Sequence, residues 1–222
     1  MDDIYRIHTN HKQLDIPLTK QRHRQQCRSV FQRPIPDHTH ACFTHIHQQI
    51  TQHPMPIVCD SGCGKGLSGR ILAERYPNHW VIALDQCSHR LTNLSHTLPR
   101  NLLVARDNCI DFWRLLHASH HHVALHTLFY PNPWPKSQHE KRRWYAHPIS
   151  PILMAMSPIT ILRSNWLFYL QKTAIVAQQH GSHTHLKQLK LTSCMAMTHF
   201  EKKYIDHGVD LFELRIYATP SL

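Results

Sequence analysis

Directly behind the apolar run Ile57-Val58-Cys59 the chain reads Asp60-Ser61-Gly62-Cys63-Gly64-Lys65-Gly66, and this glycine turn restricts the possible folds more than any other stretch. Glycines at alternate positions let a backbone turn tightly and come within contact distance of a ligand that any Cβ would push away. A turn of this kind between a strand and a helix belongs to doubly wound α/β folds, which bind nucleotides at the carboxyl ends of parallel strands. The surrounding pattern agrees. Short apolar runs alternate with helical stretches: Ile57 to Cys59 then Leu67 to Tyr76, Trp80 to Leu84 then Ser88 to Leu98, Leu102 to Val104 then Ile110 to Leu116, and Val123 to Phe129. Strand candidates Thr160 to Leu162 and Leu186 to Leu191 bracket a helix from Trp166 to Gln179, and Val209 to Tyr217 supplies a terminal strand. Strand followed by helix, repeated, predicts a mostly parallel sheet of about seven strands with helices on both faces.

The same turn narrows the ligand. Lys65 is followed by Gly66 rather than Ser or Thr, so it is not a Walker A loop, and the spacing misses the dinucleotide G-x-G-x-x-G. Asp85 ends the second strand, 19 residues after Gly66, where a carboxylate accepts bonds from both ribose hydroxyls. Asp107-Asn108 follows the third strand, where it reads an adenine edge. Each acid singly is also a plausible cap for the helix behind it. Three in order, with no pyrophosphate site, favour a cationic, amino-bearing nucleoside such as S-adenosyl-L-methionine over NAD.

The 222 residues suffice for one domain with an appendage. Residues 1–36, polar, basic and ending in Arg33-Pro34-Ile35-Pro36, read as an arm carrying Arg22, Arg24 and Arg28, and 37–222 as the domain. Its first helix is predicted from Asp37, as N-cap, to Gln52. Lys and Arg total 25 against 14 for Asp and Glu, a formal charge of +11, so a polyanion is the expected partner. Between Phe112 and Phe200 the only acid is Glu140, against nine Lys or Arg. Seven cysteines without a CxxC pair indicate neither a disulfide framework nor a zinc ribbon, and the clustered histidines lack the Cys or carboxylate partners of a metal site. The N-terminus lacks a signal-peptide core, and the longest apolar stretch, Pro151 to Leu162, is too short to span a bilayer. A soluble, cytoplasmic protein is expected, monomeric or a homodimer.

The most informative stretch is Phe129-Tyr130-Pro131-Asn132-Pro133-Trp134-Pro135-Lys136-Ser137-Gln138-His139-Glu140-Lys141-Arg142-Arg143. Three prolines stiffen it, Trp134 offers a face to a base, and Lys136, His139, Arg142 and Arg143 offer charge to phosphates. Here the sequence resembles the tRNA (guanine-N7)-methyltransferase family, whose corresponding loop reads approximately F-P-D-P-W-x-K-x-R-H-x-K-R-R. The resemblance runs from about Arg33 to Leu214. Thr198-His199-Phe200-Glu201 looks like the family's T-x-F-E, whose Thr and Glu hold the target guanine and the neighbouring cofactor; read locally, the same four residues are a helix capping box. The family's loop Asp is Asn132 here, and its L-x-T-D appears as Leu162-Arg163-Ser164-Asn165, where Asn165 is also a candidate N-cap.

The resemblance implies a Rossmann-like class I methyltransferase domain that binds S-adenosyl-L-methionine and modifies tRNA. It implies that Asp60, Gly62, Gly64, Gly66, Asp85, Asp107 and Asn108 line the cofactor. Asn132, Asn165, Thr198 and Glu201 surround the base, with Asn132 and Asn165 in the catalytic positions, and Lys136, His139, Arg142 and Arg143 meet the RNA. Guanine N7 carries a lone pair and no proton, so attack on a sulfonium methyl needs alignment rather than a general base. The product is a cation, which a carboxylate at 132 or 165 favours far more than an amide does. Retargeting to another base or RNA, and a non-catalytic RNA-binding role, remain open at this level. The 23 histidines add charge below pH ~6.5, so RNA affinity is expected to rise between pH 8 and pH 6; a dissociation constant for tRNA that stays flat across that range contradicts this.

Overall fold

The computed structural model describes residues 31, 33–94 and 98–219. Of the basic arm, residues 1–30 and 32, with Arg22, Arg24 and Arg28, lie outside the described residues. Its end docks on the domain: Arg33 pairs with buried Asp111, Arg114 donates to the Arg33 carbonyl, and the Phe31 ring lies 5.2 Å from that of His147.

Helix α1 (Asp37–Gln52) leads into β1 (Ile57–Ser61), α2 (Leu67–Arg75), β2 (Trp80–Leu84), α3 (Ser88–Leu91), β3 (Leu102–Ala105), α4 (Cys109–Ala118), β4 (Val123–Phe129), α5 (Ser150–Ala155), β5 (Ile159–Ser164), α6 (Leu167–Gln179), β6 (His183–Leu189), α7 (His199–Asp206) and β7 (Leu211–Tyr217). The described strands form one sheet in the order β3-β2-β1-β4-β5-β7-β6. Strands β1 to β5 are parallel, and β7 is inserted antiparallel between β5 and β6. Both faces are covered, so β1 and β2 are buried at every residue, which is why they read as continuous apolar runs rather than alternating ones. The pleat still divides them. Ile57 and Cys59 join the larger core with Phe112, Trp113 and Tyr145, while Val58 joins Leu72, Val81 and Leu102 on the opposite face.

Strand order reverses between β1 and β4, because the chain steps outward from β1 to β3 and then returns to the other side. The loops after β1 and β4 therefore splay apart and leave a crevice at the carboxyl ends. The predicted sheet is thus present, with local differences. Helix α1 begins at Asp37, but Pro36 occupies the cap position without a side-chain acceptor; Asp37 instead places its charge in the first turn, against the positive end of the helix dipole. The helix expected over Ser88 to Leu98 stops at Leu91 and continues as a 3₁₀ turn, Thr92–Leu94, where the Thr92 hydroxyl bonds back to the His89 carbonyl. Asn165 does not cap α6. Trp166 takes that position, and its N–H is accepted by Ser164 Oγ at 3.0 Å.

One residue in the central strand β4 is unexpected for its burial. His126 is fully buried; its Nε2 lies 2.9 Å from Ser61 Oγ, which also accepts Trp113 Nε1 at 2.8 Å, while its Nδ1 has no partner. Desolvation pushes its pKa down to about 3. The unfolded imidazole protonates near ~6.5, so the unfolded state binds more protons over the interval between. The stability this neutral ring contributes is complete above that value and drains as pH falls toward 3, by at most ~1.4 kcal/mol per pH unit. Urea melts of the protein and of His126→Gln between pH 7 and pH 4.5 should diverge in slope, the variant losing less stability on acidification; parallel curves refute the assignment.

Candidate cofactor and substrate site

The glycine turn divides into a part that faces open space and a part that packs. Gly62, Gly64 and Gly66 have φ of 73°, 58° and 78°, all in the left-handed region that L side chains avoid. At Gly62 and Gly64 a Cβ would meet nothing within 4 Å, and both residues line cavities. Gly66 lines neither; a Cβ there would strike the side chain of buried Leu94, so it serves helix entry and packing. The turn is hung on β2: Gly62 and Cys63 donate to the Leu84 carbonyl, and Gly64 N–H donates to Asp85 Oδ2 at 2.9 Å.

The three acids have different duties. Asp60 is buried behind the turn, accepting Ser68 Oγ at 2.5 Å and Thr127 Oγ1 at 2.8 Å, and it lines neither cavity. Burial raises its pKa to about 6 against the lowering effect of those two hydroxyls. Asp85 lines the crevice; Oδ1 accepts Cys87 N–H at 2.8 Å, and Arg90 stands 3.5 Å from Oδ2. Each carboxylate oxygen retains a further lone pair. Asp107 accepts Thr39 Oγ1 and Asn108 N–H on one oxygen, Oδ1, at 2.8 and 2.7 Å. Its other oxygen, Oδ2, is buried without a partner, beside a cavity that His38, Gln86 and Asn108 also line. Asn108 Oδ1 accepts Ile110 N–H at 2.8 Å and caps α4, so the unused acceptor belongs to Asp107.

Two cavities, of about 210 and 550 Å³, lie side by side above the turn and share Gly62, Arg90, Phe129, Tyr130, Pro131 and Asn132 in their walls. The smaller reaches Asp85, Asn108 and Ile110; the larger reaches Asn165, Thr198 and the start of α7. The loop after β4 separates them. Tyr130 and Trp134 adopt positive φ of 53° and 45°, and Tyr130 N–H bonds the Arg163 carbonyl across to β5. Asn132 faces both cavities, while its Oδ1 accepts Trp134 N–H at 3.1 Å.

The four cations expected to meet phosphate do not act alike. Arg143 is a strut: Nε and Nη2 donate to the Trp134 carbonyl at 3.2 and 3.0 Å, and Nη1 to Tyr145 OH at 2.8 Å. Arg142 stacks over the Trp134 ring at 4.8 Å and His139 meets the same ring edge-on at 5.5 Å, so part of that aromatic surface is covered. Lys136 is exposed on the loop.

Thr198 caps α7 by accepting Glu201 N–H at 2.9 Å, as the local pattern predicts. Glu201 does not complete the box by bonding the cap's own N–H. It is fully buried and accepts from the Met197 backbone N–H, from Tyr130 OH at 2.8 Å, and from Arg163 Nη1 at 3.1 and 3.2 Å. Arg163 also reaches Glu213 with Nε at 2.9 Å. Burial, with the neighbouring Glu201 charge, drives the Tyr130 hydroxyl pKa well above the ordinary phenol value. Sequence reasoning missed Arg90, Tyr130, Arg163, Phe200 and Tyr204 as site residues. Arg163 is legible only once β5 and β7 are paired, since it stands opposite Glu213 in that register.

This sheet order, with a glycine turn after β1 and acids after β2 and β3, is that of the class I methyltransferases. An antibiotic-related methyltransferase matches the fold with a TM-score of 0.57 at 14% identity, covering 78% of this chain and 92% of its own. A 16S rRNA (adenine(1408)-N(1))-methyltransferase from Catenulisporales acidiphilia matches with a TM-score of 0.57 at 13% identity, covering 84% and 93%. Residues 54–214 match the family model Methyltransf_4, described as "Putative methyltransferase", and the chain belongs to that family. Among its curated relatives, a tRNA (guanine-N(7)-)-methyltransferase of Mycobacterium ulcerans is 36% identical over 94 residues, 40% of this chain and 34% of that protein. The same enzyme of Treponema pallidum is 26% identical over 168 residues, 72% and 66% of the two chains. The matched stretch thus spans about a third of the first relative.

The split within the turn is testable. Gly66→Ala combines a left-handed φ with overlap on Leu94, whereas Gly64→Ala meets only the φ penalty, about 1–2 kcal/mol. Gly66→Ala should therefore shift the urea midpoint further than Gly64→Ala, and equal shifts contradict the assignment.

Proposed function

We propose that the protein is an S-adenosyl-L-methionine-dependent methyltransferase acting on guanine N7 in tRNA. The observation that carries this reading is the unsatisfied, buried Oδ2 of Asp107, in a residue that lines a cavity with Gln86 and Asn108, both of which also line the smaller cavity over a glycine turn that leaves room for a ligand, in a chain of this methyltransferase family. A buried carboxylate oxygen without a donor is costly unless a ligand supplies one, and the adenine amino group is such a donor. Asp85, at the end of β2, has lone pairs for the ribose hydroxyls while it holds the turn through Gly64. When bound, the cofactor supplies the electrophilic sulfonium methyl.

The chain's own residues then have three tasks. Gly62 and Gly64 admit the ligand to backbone contact, and the stretch from Phe129 to Asn132 walls both cavities, so a base in the larger one abuts the smaller. Asn165 and Thr198 line the far side, where they bound the base. Because guanine N7 has no proton to lose, alignment across the shared wall is the main requirement and no general base is invoked. Exposed Lys136 and Arg142, with the basic surface around them, supply phosphate contacts, while Arg143 fixes the loop that carries them. The curated relatives named for tRNA guanine-N7 methylation support the choice of substrate.

The deciding experiment is nucleoside mass spectrometry of unmodified tRNA incubated with the protein and methyl-labelled cofactor. The expected product is 7-methylguanosine, lost or reduced at least ~100-fold in Asp85→Ala and Asp107→Ala, in line with disruption of an aligned two-substrate site. A different methylated nucleoside means another acceptor base. Cofactor binding without any product points to a substrate other than tRNA or, where tRNA itself binds tightly, to an RNA-binding role.

A further inference from the structure

Methyl transfer to N7 converts a neutral purine into a cation, so the acceptor cavity has to tolerate a positive charge that grows through the reaction. The larger cavity offers no carboxylate for it among the described residues. Asn132 and Asn165 are neutral amides, and the charged side chains in the wall are Lys65, Arg90 and Lys203. Of the acids bonded to its wall residues, Asp85 is held by Gly64 N–H and faces Arg90, and Glu201 is closed off: it is fully buried, and the guanidinium of Arg163, the Tyr130 hydroxyl and the Met197 N–H occupy its oxygens.

What the cavity does offer is a continuous aromatic wall. Tyr130 and Tyr204 have ring centroids 5.6 Å apart, Tyr204 and Phe200 6.5 Å apart, and all three line the cavity. Phe200 is 58% exposed, an unusual position for a large apolar ring on the first turn of a short helix. The Tyr130 hydroxyl donates to the Glu201 carboxylate, which moves electron density into the ring and makes its face more attractive to a cation. Glu201 therefore acts through Tyr130 as a positioning residue rather than by touching the base.

We propose that the wall formed by Tyr130, Tyr204 and Phe200 takes the place of the missing carboxylates, so that the acceptor cavity binds the N7-methylated purine cation in preference to the neutral purine. The inference rests on the guanine-N7 reading for the identity of the base. A π face gains attraction only as the charge develops, so the same preference that favours the product cation favours the transition state. The cations in the wall attract the phosphate that both forms carry and repel only the charged ring, so the preference requires the aromatic attraction to exceed that repulsion.

Calorimetric titration at pH 6 of guanosine 5′-monophosphate and 7-methylguanosine 5′-monophosphate reads this directly, since the two share the phosphate and differ in ring charge. The methylated nucleotide is expected to bind roughly 3- to 10-fold more tightly. Phe200→Leu and Tyr204→Leu should bring the ratio close to one, and Phe200 is exposed enough for its replacement to leave the fold intact. Adding Asn132→Asp to Phe200→Leu should restore the ratio, because a carboxylate compensates for lost charge stabilisation but not for lost stacking. A wild-type ratio of one or below, no binding of either nucleotide, a ratio untouched by both aromatic variants, or failure of the rescue each overturns the proposal. The tRNA assay separates it from the activity: no 7-methylguanosine product with a ratio above one removes the activity reading and leaves the cavity's preference. Product with a ratio of one does the reverse.

Discussion

The crevice depends on one buried carboxylate. Asp60 sits where the strand order reverses, with β1 flanked by β2 on one side and β4 on the other, and it accepts one hydroxyl from β4 and one from α2. Thr127 is its register partner on β4, so the bond runs straight across the ladder. Ser68 lies in the first turn of α2, so the second bond ties the helix to the strand that feeds it. A carboxylate out of water is unfavourable unless its oxygens are occupied. That cost makes the arrangement specific, because the three elements must meet in one geometry for Asp60 to be satisfied. The glycine turn spans the gap between two of these elements, and its shape follows from their fixed separation.

The buried acids also explain how the surface becomes so basic. Asp60, Asp85, Asp107, Asp111, Glu201 and Glu213 are all buried, and each accepts hydrogen bonds within the fold. Six of the 14 acidic residues are thereby withdrawn from solvent, so the excess of Lys and Arg outside is larger than the formal +11 conveys at first reading. The sheet's far edge shows the same bias: β6 alternates between partly covered and exposed residues and presents Lys187, which pairs with Glu213 from the exposed side. A lysine there also discourages edge-to-edge pairing with another chain.

Legibility in the sequence follows from how local each determinant is. The strands β2 and β4 could be read to the residue, because burial on both faces makes β2 a short unbroken apolar run and β4 an apolar run interrupted only by His126 and Thr127, each with turn residues behind it. Gly62 and Gly64 were legible because positive φ is a local demand, and Thr198 because a cap is a local bond. The loop after β4 was recognisable as a motif, yet its side chains were not assignable: whether an arginine points at phosphate or back at a carbonyl depends on Trp134 adopting φ of 45°. The partition of Asp60 behind the turn and Asp107 beside a cavity was likewise hidden, since Thr127 and Thr39, which donate to them, lie 67 and 68 residues away in sequence.

Glu201 and Arg163 show how one long-range pair alters the chemistry of a whole site. Read along the chain, a Thr-x-Phe-Glu stretch presents an acid to a base, and Leu-Arg-Ser-Asn presents an amide. Folded, the strand β5 carries Arg163 beneath that acid, and β7 brings Glu213 to its other side, so the arginine is held between two carboxylates and cannot leave either. Breaking such a buried pair by removing one partner strands the other charge, which is unfavourable by several kcal/mol. The network is therefore rigid, and it commits Glu201 inward. With amides at 132 and 165 and Glu201 committed to Arg163, no carboxylate lines the larger cavity among the described residues. The electrostatics of the cavity are then set by Lys65, Arg90 and Lys203 together with the rings of Tyr130, Phe200 and Tyr204 that line it, a combination suited to holding a phosphate and a flat ring together.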